Sequence, residues 1–177
     1  MRDLPGAGRP PGSSRSNYGA AHRADARPHP ARGTGCRAPL RHDALVDDHD
    51  LIEAAAAARG RAHVPYSRFA MGAAVLTDTG EVRVGSVVEN VSLGLAMCAE
   101  RVALFATVAT GAGRPTALAL VAPRTAGELT HPCGACLQVA LELGGPALRV
   151  VVADPDGAST TSDVGTLLPL GPAKRTR

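Results

Sequence analysis

The chain has 177 residues, is 45% hydrophobic and carries a formal net charge of +3, which suits one domain with a buried core. No apolar run approaches the ~20 residues that span a bilayer, and the N-terminus lacks the apolar segment of a secretory signal, so the sequence reads as soluble and cytoplasmic with no membrane partner. Two Phe, two Tyr, no Trp and one Lys make a poor face for a nucleic-acid polymer.

The charge is unevenly spread. Residues 1–42 hold eight Arg and two acids, a net +6, while the remainder holds eleven basic and fourteen acidic residues, a net −3. The basic stretch is rich in Pro, Gly, Arg and Ala without apolar periodicity, so residues 1–45 read as a disordered leader. Arg-rich and acid-poor composition faintly suggests a transit peptide, but the Pro and Gly content spoils an amphipathic helix. The preference for Arg over Lys points instead to a GC-rich coding sequence with a start near Val46, leaving the leader outside the native protein. An intact mass that includes Arg2 overturns that expectation. Residues 46–171 are the domain, and 172–177 a basic tail.

From Asp47 the pattern tightens. DDHDLIEAAAAARGRA opens with acids and continues with helix formers to Gly60, predicting a first helix. VPYSRF reads as a turn or loop. FAMGAAVLTDTG predicts a strand ending in a turn at Asp78 to Gly80, with EVRVGSVVEN as its antiparallel partner. A second helix is expected from about Met97 to Val108. TALALVAP has the wholly apolar character of a strand buried on both faces. GACLQVALEL predicts a third helix stopped by GGP, LRVVVAD another buried strand, and Val164 to Leu168 a last helical turn before Pro169. Two hairpin strands followed by alternating helix and strand give an α/β fold, a three-layer sandwich.

Four cysteines occur, Cys36, Cys98, Cys133 and Cys136. Cys133 and Cys136 form PCGAC. A structural disulfide is disfavoured because nothing marks secretion, and a thioredoxin-like pair belongs early in a βαβ unit, not this late. A zinc site remains: two thiolates at this spacing supply half a tetrahedral shell, and Cys98 supplies a third soft ligand. Cys36 would close the shell and make the metal structural, but it lies in the leader at no finger-like spacing. Glu100, two residues after Cys98, favours a catalytic site with an open position, since a structural site has no use for a carboxylate desolvated beside the metal.

Cys98-Ala99-Glu100 followed by Pro132-Cys133-Gly134-Ala135-Cys136 resembles the zinc nucleoside deaminase signature. VPYSRFAMGAAV, VENVSLGLAMCAER and PCGACLQV resemble, more closely, the small all-cysteine cytidine deaminases, over about residues 47–171. The resemblance implies an α/β/α sandwich with a mixed sheet, a homotetramer, and hydrolysis of cytidine or deoxycytidine to the uridine with release of ammonia, as in pyrimidine salvage. It implies that Cys98, Cys133 and Cys136 bind Zn²⁺ and that Glu100 shuttles protons. Zinc lowers the pKa of its water from about 16 toward neutrality, and Glu100 would carry the proton to the ring N3. Three thiolates leave the shell at −1. Arg101 resembles the arginine that hydrogen-bonds those sulfurs, a solvated helix face being the other reading. Phe69 corresponds to a residue near the pyrimidine ring, with a core position equally open. Glu89 matches a carboxylate that accepts from the ribose hydroxyl, and the backbone of Ala99 would receive the exocyclic amine. Gln138 matches a position without assigned chemistry, and His131 reads as a loop residue.

Three departures fall at the sugar and base end. Val87 stands where an asparagine would hydrogen-bond the sugar, a loss of about 0.5–1.5 kcal/mol. Leu93 replaces a tyrosine expected to reach a neighbouring subunit's site, and LLPLGP lacks the usual terminal aromatic. The rival readings are a deaminase of a modified cytosine nucleoside of the blasticidin S type, a zinc-stabilised interaction module without catalysis, and a nucleic-acid editor, which the acidic, aromatic-poor body disfavours.

Overall fold

The computed structural model describes residues 46–172, so the expectations for the leader, Cys36 included, and for residues 173–177 lie outside the described residues. The first helix, α1 (Asp48–Arg59), starts where the acids sit. Asp47 accepts from the Asp50 N–H while the Asp50 side chain accepts from the Asp47 N–H, a reciprocal cap that satisfies two otherwise orphaned donors. The strands β1 (Gly72–Thr77) and β2 (Val82–Ser86) form a hairpin whose turn relies on Gly80 at φ 82°. Then come α2 (Ala99–Thr110), β3 (Pro115–Val121), α3 (Gly134–Gly144), β4 (Arg149–Ala153), β5 (Ser159–Asp163) and the short α4 (Val164–Leu167).

The strands order as β2-β1-β3-β4-β5, with only the β3–β4 pair parallel, so the sheet is mixed as the resemblance implies. Its two faces are both covered. Ala73, Val75, Leu118, Leu120, Val150 and Val152 pack with Ala103 and Leu104 of α2 and Ala140 of α3. The alternate residues Ala74, Ala117, Ala119, Val121, Val151 and Ala153 pack with Leu51 and Ala55 of α1. This alternation makes three layers, and it explains why the β3 and β4 sequences are apolar throughout. Each fully buried Leu in these layers contributes roughly 1.5–3 kcal/mol.

Two glycines set how closely the helices approach. A Cβ on Gly72 would stand 2.1 Å from the Ala55 carbonyl oxygen of α1, and one on Gly85 would stand 2.4 Å from the Ala99 oxygen of α2. Gly85→Ala would therefore push the start of α2 off the sheet, and that start carries the site.

Two features differ from the sequence expectation. The second helix begins at Ala99 rather than Met97, because Met97 exchanges both backbone bonds with Val88 and is held extended. And β5 is an additional strand: STTSD is a polar, exposed edge with no apolar alternation to announce it. Among the described residues no helix is long and apolar enough to cross a membrane.

Candidate metal centre

The N-termini of α2 and α3 bring the sulfurs together. Cys98 occupies the N-cap of α2, held extended by its bridged neighbour Met97; Cys133 occupies the N-cap of α3, and Cys136 sits in its first turn. The three Sγ atoms lie within 4.8 Å of one another, with Cys133 and Cys136 3.5 Å apart, and all three cysteines are free thiols. A tetrahedral Zn–S bond of about 2.3 Å puts sulfurs roughly 3.8 Å apart, so the trio fits zinc with little adjustment. Neither cap cysteine uses its sulfur to cap the helix backbone, which leaves both sulfurs available as ligands. Both helices add partial positive charge from their dipoles at the thiolates.

Glu100, one residue into α2, is 2% exposed, and its Oε2 is buried with no hydrogen-bond partner in the structure. A buried carboxylate oxygen left unpaired is costly. Burial pushes the Glu100 carboxyl up, the Cys98 charge adds to that, and an interaction with the Cys136 thiol opposes it. This orphaned oxygen beside three soft donors is the pattern of a metal site with one coordination position for water. The Arg101 guanidinium reaches Cys98 Sγ at 3.8 Å, so it faces the sulfurs rather than solvent. Hydrogen bonding from Cys136 and contact with Arg101 hold the Cys98 thiol down at about 5 against the effect of burial, while the same sulfur–sulfur bond pushes Cys136 up. Arg101 thus places its positive charge against the Cys98 sulfur.

The other end of the site is a loop assembly. Glu89 accepts from the backbone N–H of Tyr66 at 2.9 Å and of Ser67 at 3.3 Å, while its own N–H donates to His63 O at 2.8 Å. Hydrogen bonds from Ser67 and Tyr66 hold the Glu89 carboxyl below the ordinary value although burial pushes the other way. The VPYSRF loop that holds it was legible only as a turn. Phe69, in the loop before β1 and half-buried, packs against the α2–α3 side of the core, and its N–H donates to Ser67 Oγ. Val87 is 7% exposed, with its N–H bonded to Met71 O and its carbonyl to the His63 N–H. The Ala99 carbonyl lies against Gly85 of β2. As the first residue of α2, Ala99 also has an N–H with no intrahelical partner.

His131 is exposed and outside the sulfur cluster, and Gln138 donates to Pro172 O at 2.8 Å. The second grouping of metal-capable side chains among the described residues, Asp47, His49 and Asp50, is exposed, and its aspartates cap α1.

The family model for the cytidine and deoxycytidylate deaminase zinc-binding region matches residues 45–153. A cytidine deaminase of Halalkalibacterium halodurans is 42% identical over 124 residues, 70% of this chain and 92% of its own length. One of Mycobacterium tuberculosis is 50% identical over 105 residues, 59% of this chain and 77% of its own. The crystal structure of a cytidine deaminase from Burkholderia pseudomallei superposes with a TM-score of 0.66 at 48% identity, covering 71% of this chain and 98% of that one.

Proposed function

We propose a reaction from one premise: this chain belongs to the cytidine and deoxycytidylate deaminase family and is accordingly a zinc-dependent hydrolytic enzyme. Its substrate is cytidine or deoxycytidine, and its products are the corresponding uridine and ammonia. Cys98, Cys133 and Cys136 would hold the metal, which when bound would supply the Lewis acidity that lowers the pKa of water toward neutrality. Glu100 takes the proton that the water gives up as its oxygen bonds to C4, passes it to ring N3, and then moves the C4 hydroxyl proton to the amine as the C4–N bond breaks and ammonia leaves. A carboxyl raised by burial suits that traffic, because a shuttle works best when its pKa approaches the operating pH. Arg101 offsets the negative charge of three thiolates. The N–H of Ala99 suits a carbonyl oxygen on the base, Phe69 lies near the ring, and Glu89 accepts from a sugar hydroxyl with its backbone donors already fixing it.

The observation that carries this reading is the buried, unpartnered Glu100 oxygen beside three converging sulfurs. A structural zinc site in an interaction module would give that carboxylate no reason to be there. The test is zinc analysis of the purified protein together with the loss of the cytosine absorbance. About one zinc per chain with turnover of cytidine or deoxycytidine is expected; zinc with no turnover of any aminopyrimidine nucleoside ends the reading. A second reading, a modified cytosine nucleoside of the blasticidin S type, is favoured by buried Val87 and exposed Leu93 at the sugar end, and the same assay with blasticidin S separates the two.

The setting we propose is the cytoplasm, in pyrimidine salvage, as a homotetramer. Self-association is supported by an apolar groove of about 420 Å³ lined by Phe105, Val108, Val139 and Leu143, and by the exposure of Val91, Leu93 and Leu95. Light scattering that returns the mass of four chains is the expected result.

A further inference from the structure

Of the three sulfurs, that of Cys133 has the least support of its own. Cys136 is buried inside a helical turn, and Cys98 is fixed by the Met97–Val88 bridge and by Arg101; Cys133 is exposed at the N-cap of α3, where the loop of residues 122–131 that leaves β3 runs into the helix. That loop is a closed unit. Thr125 and Glu128 exchange both backbone bonds across a two-residue turn in which Ala126 (φ 52°) and Gly127 (φ 87°) both adopt left-handed backbone, unfavourable for alanine. At the base, Thr130 Oγ1 donates to Pro123 O at 2.6 Å and meets Thr125 Oγ1 at 2.7 Å. Leu129 rests on the core, and Pro132, buried, leads directly into Cys133.

One side chain ties this unit to the sheet. Arg124 Nε donates to Asp154 Oδ2 at 2.7 Å, and its Nη1 donates to Gly127 O, at the turn, at 2.9 Å. Asp154 directly follows β4, is 4% exposed and is itself immobilised: Oδ1 accepts from the N–H groups of Asp156 and Ala158 at 3.0 and 2.9 Å. The parallel strands β3 and β4 end side by side, with Val121 opposite Ala153, which is why a residue three past one strand meets a residue one past the other. An isolated surface pair would contribute little; this one joins an anchored carboxylate to a strained turn.

We propose that Arg124, clamped by Asp154, is a positioning residue that holds the 122–131 loop in the form that delivers Cys133 to the metal, and so sets how firmly zinc is retained. The proposal rests on the zinc reading of the sulfur cluster. Outer groups that orient ligands typically change metal affinity by roughly 10–100-fold when removed.

The test measures the rate of zinc release from the full-length, zinc-loaded protein to a chromogenic chelator. Arg124→Ala is expected to release zinc about tenfold faster or more, and Arg124→Lys to recover part of the difference. Arg149→Ala, which breaks the 3.0 Å pair with Asp48 on the opposite side of the sheet, should match the wild type. The cobalt-loaded Arg124→Ala protein should show altered d–d bands. Should Arg124→Ala fold poorly, Asp154→Asn keeps the acceptor for the two backbone N–H groups and sets an amide against Arg124, and it should release faster too. Release at the wild-type rate from whichever of these folds, or equal acceleration in Arg149→Ala, overturns the positioning role alone. A wild-type protein that binds no zinc overturns this role and the zinc reading together.

Discussion

At the metal end, every side chain stands on or beside a helix terminus pressed against the sheet. Cys98, Glu100 and Arg101 belong to the start of α2, which Gly85 lets settle onto β2, and Cys133 and Cys136 to the start of α3. At the end we propose for the sugar there is no such frame. Glu89 lies outside any strand and is fixed by two backbone N–H donors of an exposed loop that includes exposed Tyr66, with exposed Val91, Leu93 and Leu95 following it in sequence. The contrast teaches how the two tasks divide. Moving protons at a metal needs a dry, rigid setting in which a carboxyl is kept high, whereas gripping a sugar needs one fixed acceptor, and its neighbours can change without disturbing the chemistry.

The sharpest way to break that division is Glu100→Gln. It should lower kcat by about a hundredfold to ten-thousandfold, the range for loss of a general acid–base, while zinc content stays at the wild-type level. Loss of the metal along with activity would make Glu100 part of the metal's support instead. The same variant separates the carboxyl's burial from its chemistry. Burial raises Glu100 above its value in the unfolded chain, so between those two values the folded protein holds a proton that the unfolded chain lacks. Stability of the metal-free protein is then full below the unfolded value and falls as pH rises through the folded one. Glutamine cannot ionise, so Glu100→Gln should be the more stable metal-free protein near neutrality, with the gap closing toward about pH 4 in urea titrations. A gap constant across pH would mean the carboxyl is not desolvated.

Glu89→Gln probes the other end. The amide keeps one acceptor but turns a donor toward the Tyr66 and Ser67 N–H groups, so the fixed geometry is lost. KM for cytidine should rise about tenfold to a hundredfold, as expected for a hydrogen bond to a charged group, and kcat should change far less. A large fall in kcat with KM intact would show that the two ends are coupled.

Much of this was readable in the residues. The α1 cap, the hairpin, the apolar strands and the pairing of Cys98-Ala99-Glu100 with PCGAC are local signals, and local signals survive folding. Three things were not local. The α2 start moved to Ala99 because Val88, nine residues upstream of Met97, claims its backbone. The strand β5 is stabilised by pairing with β4 rather than by its own polar sequence, and only the PDG turn before it hinted at a hairpin. The Arg124–Asp154 tie spans thirty residues and arises from the parallel register of β3 and β4, which no pattern in either segment announces.

The smallest expected effect bears on what the sugar end has given up. Val87 is 7% exposed with both backbone groups bonded, so its side chain is held in place rather than free to swing aside. An asparagine there would keep the backbone bonds and restore one polar contact, whose net value of about 0.5–1.5 kcal/mol corresponds to roughly a two- to thirteenfold change in KM. Val87→Asn should therefore lower KM for cytidine several-fold at unchanged kcat, with little change for blasticidin S. A KM that stays put or rises in a well-folded variant would place Val87 in the packing beneath the loop, and would shift weight to the modified nucleoside as the substrate this pocket suits.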